Sequence, residues 1–374
     1  MEKLGTCEKC GVPLRISEEM QWMDNGVIAP AGSSRGRMVF YESRIIDNLF
    51  RGIEELIGFS IGHIVIESRR REARRFCEKI IPEETRRELQ SMMERVYGGG
   101  PVDEEEKRVF LEKCRTLTMN FIGMGSVYGY GEALLGDSWE RGERYPWRTN
   151  IIKNPYSLPF WVAGALGFIE AIEGVDQEAQ CEEFGVDAYK VTTFPAEHIV
   201  ALKERLQIRR YEFKPGDITY ERCDACRLPL EVARFVWNSE QGTIIDPDNG
   251  RRMAIYSPYS LEAVLDDLER ELGESIPEAV IEAQRRYVKS RVGEDNWRRR
   301  GTTFRQLTAM RGLGNLTKFE ADVDCLNLTI ENACLPLVMV GMAKAIYELA
   351  LGYDETKHEW NMSDDGDLNI TVKA

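Results

Sequence analysis

A chain of 374 residues with a net charge of −14 and a pI near 5.0 is long enough for two cores of ordinary domain size, and its charge argues against nucleic acid and anionic lipid as partners. No apolar run approaches the roughly 20 residues that span a bilayer, and Cys7 precedes any hydrophobic stretch, so neither a membrane span nor a signal peptide is expected and a cytoplasmic location is. Its three histidines, His63, His198 and His358, share no metal-binding spacing, which argues against a three-histidine catalytic centre.

The chain opens with Cys7-Glu-Lys-Cys10-Gly-Val-Pro13-Leu14, and the same C-x-x-C-x-x-P-L spelling returns at Cys223-Asp-Ala-Cys226-Arg-Leu-Pro229-Leu230. Correspondence continues at a nearly constant offset, 216 residues from Cys7 to Cys223 and 215 from Met38 to Met253. Gly26 answers to Gly242, Tyr41 to Tyr256, Gly58 to Gly273 and Ile61 to Ile276. A period this long marks a whole folding unit copied and fused. The expected fold is therefore α+β, with two homologous domains, each packing helices on an antiparallel sheet, related by a pseudo-twofold as homodimer subunits would be. The first copy takes residues 1–194, a connector 195–216, and the second copy 217–374.

Each knuckle leads into a short ribbon closing at a glycine turn, Met23 to Ile28 and Asn238 to Ile244. Apolar residues at helical spacing follow, Ile45, Ile46, Leu49, Phe50, Ile53, Leu56 and Ile57, mirrored by Leu261, Val264, Leu265, Leu268 and Leu272. A second helix begins after Ile61 and Ile276. A further helix is expected from Glu104 to Ile122, ending in Gly123-Met-Gly125, with Leu307 through Gly312-Leu-Gly314 as its counterpart. Val127-Tyr-Gly-Tyr130, Thr149 to Ile152, Phe319 to Val323 and Leu326 to Ile330 read as strands. An apolar helix then closes each half, Leu158 to Ile172 and Leu335 to Ala350, with Pro159 matched to Pro336, Gly164 to Gly341, Glu170 to Glu348 and Gly174 to Gly352. Terminal strands end at Val191 and Val372. Pro195 to Gln207 reads as a helical connector, and Lys214-Pro-Gly216-Asp as the boundary.

One C-x-x-C pair supplies two thiolates, and a closed tetrahedral zinc site needs four. The duplicated pair completes the set with Cys7, Cys10, Cys223 and Cys226, so a structural zinc clamping the halves is expected. A redox couple would place its first cysteine at a helix N-terminus after a strand, and here that cysteine begins the chain. Cys77, Cys114, Cys181, Cys325 and Cys334 are read mostly as core. The glycine run from Gly123 to Gly131 leaves a helix instead of opening one, which argues against a dinucleotide loop. Arg69-Arg-Arg71, with Arg74 and Arg75 and with Glu67, Glu72 and Glu78 interleaved, reads as a solvated, salt-bridged face; Arg298 to Arg300 echo it.

The run Asn154-Pro-Tyr-Ser-Leu-Pro159-Phe-Trp-Val-Ala-Gly164-Ala-Leu-Gly167-Phe, followed by Glu178-Ala-Gln-Cys181 and Gly185-Val-Asp187-Ala-Tyr189-Lys-Val191, resembles the C-terminal signature of the 4-vinyl-reductase-type, or hydrocarbon-binding, domain. The resemblance covers about 40 residues closely in the first copy, and the second more loosely. It implies helices on one side of an antiparallel sheet, a small hydrophobic or aromatic ligand such as a tetrapyrrole precursor, and dimerisation in many members. Family members hold zinc at this signature through cysteines and a glutamate. Here Glu178 and Cys181 remain, while Tyr189 and Pro159 stand where cysteines would be.

Aromatic residues crowd the same region, and Tyr128, Tyr130, Trp139, Trp147, Trp161 and Phe168 are the candidate ligand-lining residues; ordinary core packing is the competing reading. The functional expectation is a binding protein with no catalytic residues, with an enzyme or accessory factor of tetrapyrrole or anaerobic aromatic metabolism and a ligand-free assembly scaffold as alternatives. A homodimer or a protein partner is left open.

Overall fold

The computed structural model describes residues 5–33, 36–98, 103–198, 212–291 and 304–374. It is an α+β protein, with helices set on antiparallel sheets as expected. The residues gather into two compact units, the first made of 1–61, 208–237 and 244–374 and the second of 62–207 with 238–243. This partition differs from that of the sequence copies, because the first 61 residues cluster with most of the second copy.

The first unit begins with α1 (Leu14–Glu19), a ribbon of β1 (Met20–Trp22) and β2 (Ile28–Pro30), then β3 (Val39–Glu42) and α2 (Arg44–Ile57). Helix α2 buries Ile45, Ile46, Leu49, Phe50 and Ile53, the face its 3.6-residue spacing dictates, and stops at left-handed Gly58.

In the second unit, α3 (Gly62–Ile80), α4 (Glu83–Tyr97) and α5 (Glu104–Val127) precede β4 (Glu132–Leu135), β5 (Thr149–Lys153), α6 (Leu158–Glu173), β6 (Gln177–Gly185) and β7 (Ala188–Pro195). The sheet order is β4-β5-β7-β6, all antiparallel. Helix α6 lies tight on α3: a Cβ at Gly167 would sit 2.4 Å from the backbone nitrogen of Arg74, so that glycine serves close helix packing. Arg70, on α3, is 2% exposed and pairs with the fully buried Glu170 of α6. Arg71 and Glu72 are buried as well. The cluster is thus salt-bridged, but only its Arg75 side is solvated, a correction for Arg70 and Arg71 that follows from their helix face meeting α6.

The chain returns to the first unit with α7 (Leu230–Ala233), β8 (Val236–Asn238), β9 (Thr243–Ile245), β10 (Arg252–Tyr256), α8 (Pro258–Leu272), α9 (Ile276–Arg291), α10 (Phe304–Met310), β11 (Asn315–Ala321), β12 (Cys325–Glu331), α11 (Pro336–Leu351), β13 (Lys357–Met362) and β14 (Leu368–Lys373). The order β11-β12-β14-β13 repeats that of the second unit's sheet. Strands β3 and β10, repeat equivalents of each other, pair antiparallel with Phe40 opposite Ile255. Those two residues are themselves counterparts at the 215 offset. Arg37, 3% exposed, donates to the carbonyls of Gly312, Asn332 and Ala333 and so joins the loop before β11 to the one after β12.

Two glycine contacts match across the copies. The Gly314 N–H donates to the Gly26 carbonyl in the first unit, and the Gly131 N–H donates to the Gly242 carbonyl in the second. A Cβ at Gly26 would fall 2.3 Å from the Gly314 oxygen, and one at Gly242 would fall 2.0 Å from the Gly131 oxygen. All four residues have positive φ, so these sites demand glycine for both conformation and space. Each copy's ribbon turn therefore meets the glycine loop of the other copy.

Several expectations are corrected. Helix α5 runs through Gly123 and Gly125 to Val127, so Val127 to Tyr130 is a helix end and turn, and the counterpart of Gly312-Leu-Gly314 is Gly129-Tyr-Gly131. The closing helices both run 16 residues to a left-handed glycine; counted back from that cap, Gly341 falls opposite Ala163, one residue from Gly164. Helix α4 and the edge strands β6 and β13 were not foreseen: α4 carries a polar face over few buried residues, β6 is exposed along most of its length, and β13 has no fully buried residue. Most of the Pro195 to Gln207 connector and Arg298 to Arg300 lie outside the described residues. Among the described residues, no helix is long and apolar enough to cross a membrane.

Candidate metal centre

The two C-x-x-C knuckles, both in the first unit, meet. Each is a tight turn closed by an isolated bridge, Thr6 to Pro13 and Arg222 to Pro229. Inside it the first cysteine's carbonyl accepts an N–H four residues on, from Gly11 in one knuckle and Arg227 in the other. Both acceptor partners sit at positive φ, which glycine adopts freely and arginine only at a cost. Val12, Ile16, Leu228 and Val232 are buried beneath the turns, and the Arg222 guanidinium donates to the Trp22 carbonyl at 2.7 Å, tying the second knuckle to the first ribbon. Lys9 and Asp224 face each other at 3.5 Å on the exposed side, where an ion pair adds little.

The sulfur of Cys7 lies 3.8 Å from that of Cys223, and Cys10 lies 3.5 Å from Cys226. All four sulfurs fall within 4.8 Å of one another. A tetrahedron with metal–sulfur bonds of about 2.3 Å has edges of about 3.8 Å, so the spacing suits a metal bound by four thiolates. No disulfide joins these residues. Cys7 and Cys223 are buried, and their partners half-buried.

The local electrostatics favour thiolate at the first position of each knuckle. The backbone N–H groups of Cys10 and Lys9 point at the Cys7 sulfur and lower its pKa to about 6; those of Cys226 and Ala225 act in the same direction on Cys223. Burial pushes Cys10 up to about 12 and raises Cys226. A cation at the centre would supply the charge that lets the second pair ionise. A metal held by all four thiolates would have no vacancy for substrate.

The other cysteines are apart from this cluster. Cys77, Cys114 and Cys334 are buried, with thiols pushed up to about 12 by burial. Cys181, expected in the core, is exposed, because it lies on edge strand β6.

The six aromatic candidates all lie in the second unit but do not converge. Trp147 is fully buried, with Phe110, Tyr145 and Trp139 around it, in a cluster that also contains Phe168. Trp161 packs against a separate cluster of Ile152, Val162, Leu166 and Val191. Tyr128 and Tyr130 form a third group, in which Tyr130 stacks on Tyr156 at 4.3 Å. The Trp147 indole donates to Glu173, which also pairs with Arg148. Glu173 went unnoticed in the sequence because a lone acidic residue near a helix end carries no motif.

Comparison with known proteins finds no matching family model, no similar curated protein and no similar solved structure.

Proposed function

We propose that this chain is a non-catalytic binding protein built from two copies of a 4-vinyl-reductase-type domain, tied together by one structural zinc on Cys7, Cys10, Cys223 and Cys226. The four sulfurs at metal-binding separation carry the zinc reading; closed four-thiolate tetrahedra are a preference of zinc, and a cytoplasmic, reducing location would keep the thiols free to bind it. The repeated sheet order and the reciprocal glycine contacts support the duplication.

The ligand in this reading is a small hydrophobic or aromatic molecule, held by the first copy beside α6. Its support is that Trp161 is half-buried on α6 and that a Cβ built at Gly164, within one turn of it, meets no atom within 4 Å. The deep packing of Trp147 and Phe168 favours a second reading, a ligand-free scaffold in which the aromatics are core. Native mass spectrometry of freshly purified protein reads metal and ligand content together. Titration with p-cresol, followed by tryptophan fluorescence, should give a saturable change that Trp161→Ala weakens. An unliganded protein with no response selects the scaffold.

A further inference from the structure

We propose a separate binding site in the first unit, between α11 and the β11-β12-β14-β13 sheet, for a monocarboxylate carried on an apolar body. Lys344 is 7% exposed and has no hydrogen bond or ion pair among the described residues. Its helical neighbour four residues on, Glu348, already serves Thr356, Arg285 and Lys289. Lys344 shares a face of α11 with Val340 and with Tyr347, whose hydroxyl donates to the Asp322 carbonyl between β11 and β12; that face therefore lies toward the sheet. Counted back from the cap glycines, the position of Lys344 in α11 is that of Leu166 in α6, which packs with sheet residues Ile152 and Val191. A lysine thus occupies a position filled by leucine in the other copy.

A second polar group lies on the adjoining helix α9. Gln284 on α9 is fully buried, and neither its amide nitrogen nor its amide oxygen has a partner among the described residues. It lies across α11 at Gly341, where a Cβ would come within 2.8 Å of the Gln284 Cβ, and Gly341 precedes Lys344 by three residues, on the same side of the helix. A buried amide with nothing to bind is costly to a fold, and the Lys344 ammonium has no counter-ion among the described residues. Both can donate to one carboxylate, which would supply the missing negative charge.

The sheet offers the apolar surface. Phe319, Leu328, Ile370 and Trp360 form one row across all four strands, on the face that buries Leu326, Ile330, Leu368 and Val372. Ile370 is buried, yet Leu328 and Trp360 are only half-buried and Phe319 is 49% exposed, with Phe304 stacked on it at 5.3 Å. The opposite face is occupied by polar pairs such as Thr329 with Asn369 and Asn327 with Thr371. An incompletely covered apolar row on the face turned toward an unpaired cation suits an aryl or an acyl carboxylate.

Two acids, 1-naphthoate and cis-parinarate, distinguish an aryl from an acyl body, and their methyl esters isolate the charge. Saturable binding of at least one acid is expected, loosened tenfold or more by Lys344→Met and several-fold by Gln284→Leu, with ester affinity unchanged by either. Lys344→Met should leave the p-cresol response intact, which separates this site from the one beside α6. Lys344→Met should also raise the melting temperature of the ligand-free protein, since it removes an ammonium without a counter-ion. If that variant does not fold, Gln284→Leu carries the comparison of acid with ester. Failure of both acids to bind, equal affinity of Lys344→Met for the acids, or a lowered melting temperature in that variant overturns the proposal.

Discussion

Replacing Cys223 by serine tests the metal centre most directly. The substitution leaves three thiolates and a weak oxygen ligand, and should abolish stoichiometric zinc binding. The stability at stake can be scaled from the chain itself. Cys10 and Cys226 are 216 residues apart, and joining such a loop lowers the entropy of the unfolded chain by an amount equivalent to about 5 kcal/mol at 25 °C. That is a floor, since apparent values for structural zinc sites are on the order of 10 kcal/mol and above. With an unfolding entropy of about 2.1 cal/mol/K per residue over 374 residues, a loss of 5 kcal/mol lowers the melting temperature by about 6 °C. Zinc content by elemental analysis and thermal melts with and without chelator read both quantities. Chelation of the wild type should reproduce the shift, and chelator should do nothing to Cys223→Ser. Protons compete with zinc for the thiolates, so metal retention should fall as pH is lowered and never as it is raised over the neutral range. A wild type that is metal-free and indifferent to chelator, or a Cys223→Ser variant with normal zinc and an unchanged melt, would refute the reasoning.

Gly26→Ala should destabilise far more than Gly58→Ala, by urea titration. Both glycines have positive φ, but only at Gly26 does the new Cβ strike a carbonyl, whereas at Gly58 it meets no atom within 4 Å; the helix-cap substitution should cost about 1 kcal/mol. Arg70→Met leaves the buried Glu170 without its main counter-charge and should cost about 3–5 kcal/mol. Arg70→Met combined with Glu170→Leu should recover much of that loss in the same assay, and additivity of the two single effects would count against a buried pair.

The metal centre was legible because its ligands repeat with their spacing: a C-x-x-C written twice requires only that the copies meet. The amphipathic helices α2 and α8 were legible for an equally local reason, an apolar stripe at helical period. Partner choice was not. Nothing local to Gly26 or Gly314 says that they touch, and Glu170 looks like any acidic residue late in a helix until Arg70 is seen against it. Gly123 and Gly125 misled because glycine lowers helix propensity by only about 1 kcal/mol, less than the burial of Ile122 and Val127 on α5 restores. Edge strand β6 lacked the alternation that marks a half-buried strand, because little covers it, and β13 alternates only weakly, its inward positions His358, Trp360 and Met362 being half-buried. The aromatic residues gave composition without placement, and so could not separate core from pocket.

The exchange of ribbons between copies bears on how the chain can be made. The Trp22 indole donates to the Met310 carbonyl, 288 residues away, so at synthesis rates of about 5–20 residues per second the first ribbon leaves the ribosome roughly 15 to 60 s before its partner. Until Cys223 and Cys226 follow, 216 residues after their counterparts, Cys7 and Cys10 are a two-thiol fragment, short of the four ligands that hold zinc tightly. Metal capture by the proposed centre would therefore wait for the second knuckle, and a nascent polypeptide halted before Cys223 should emerge with the metal still in the medium.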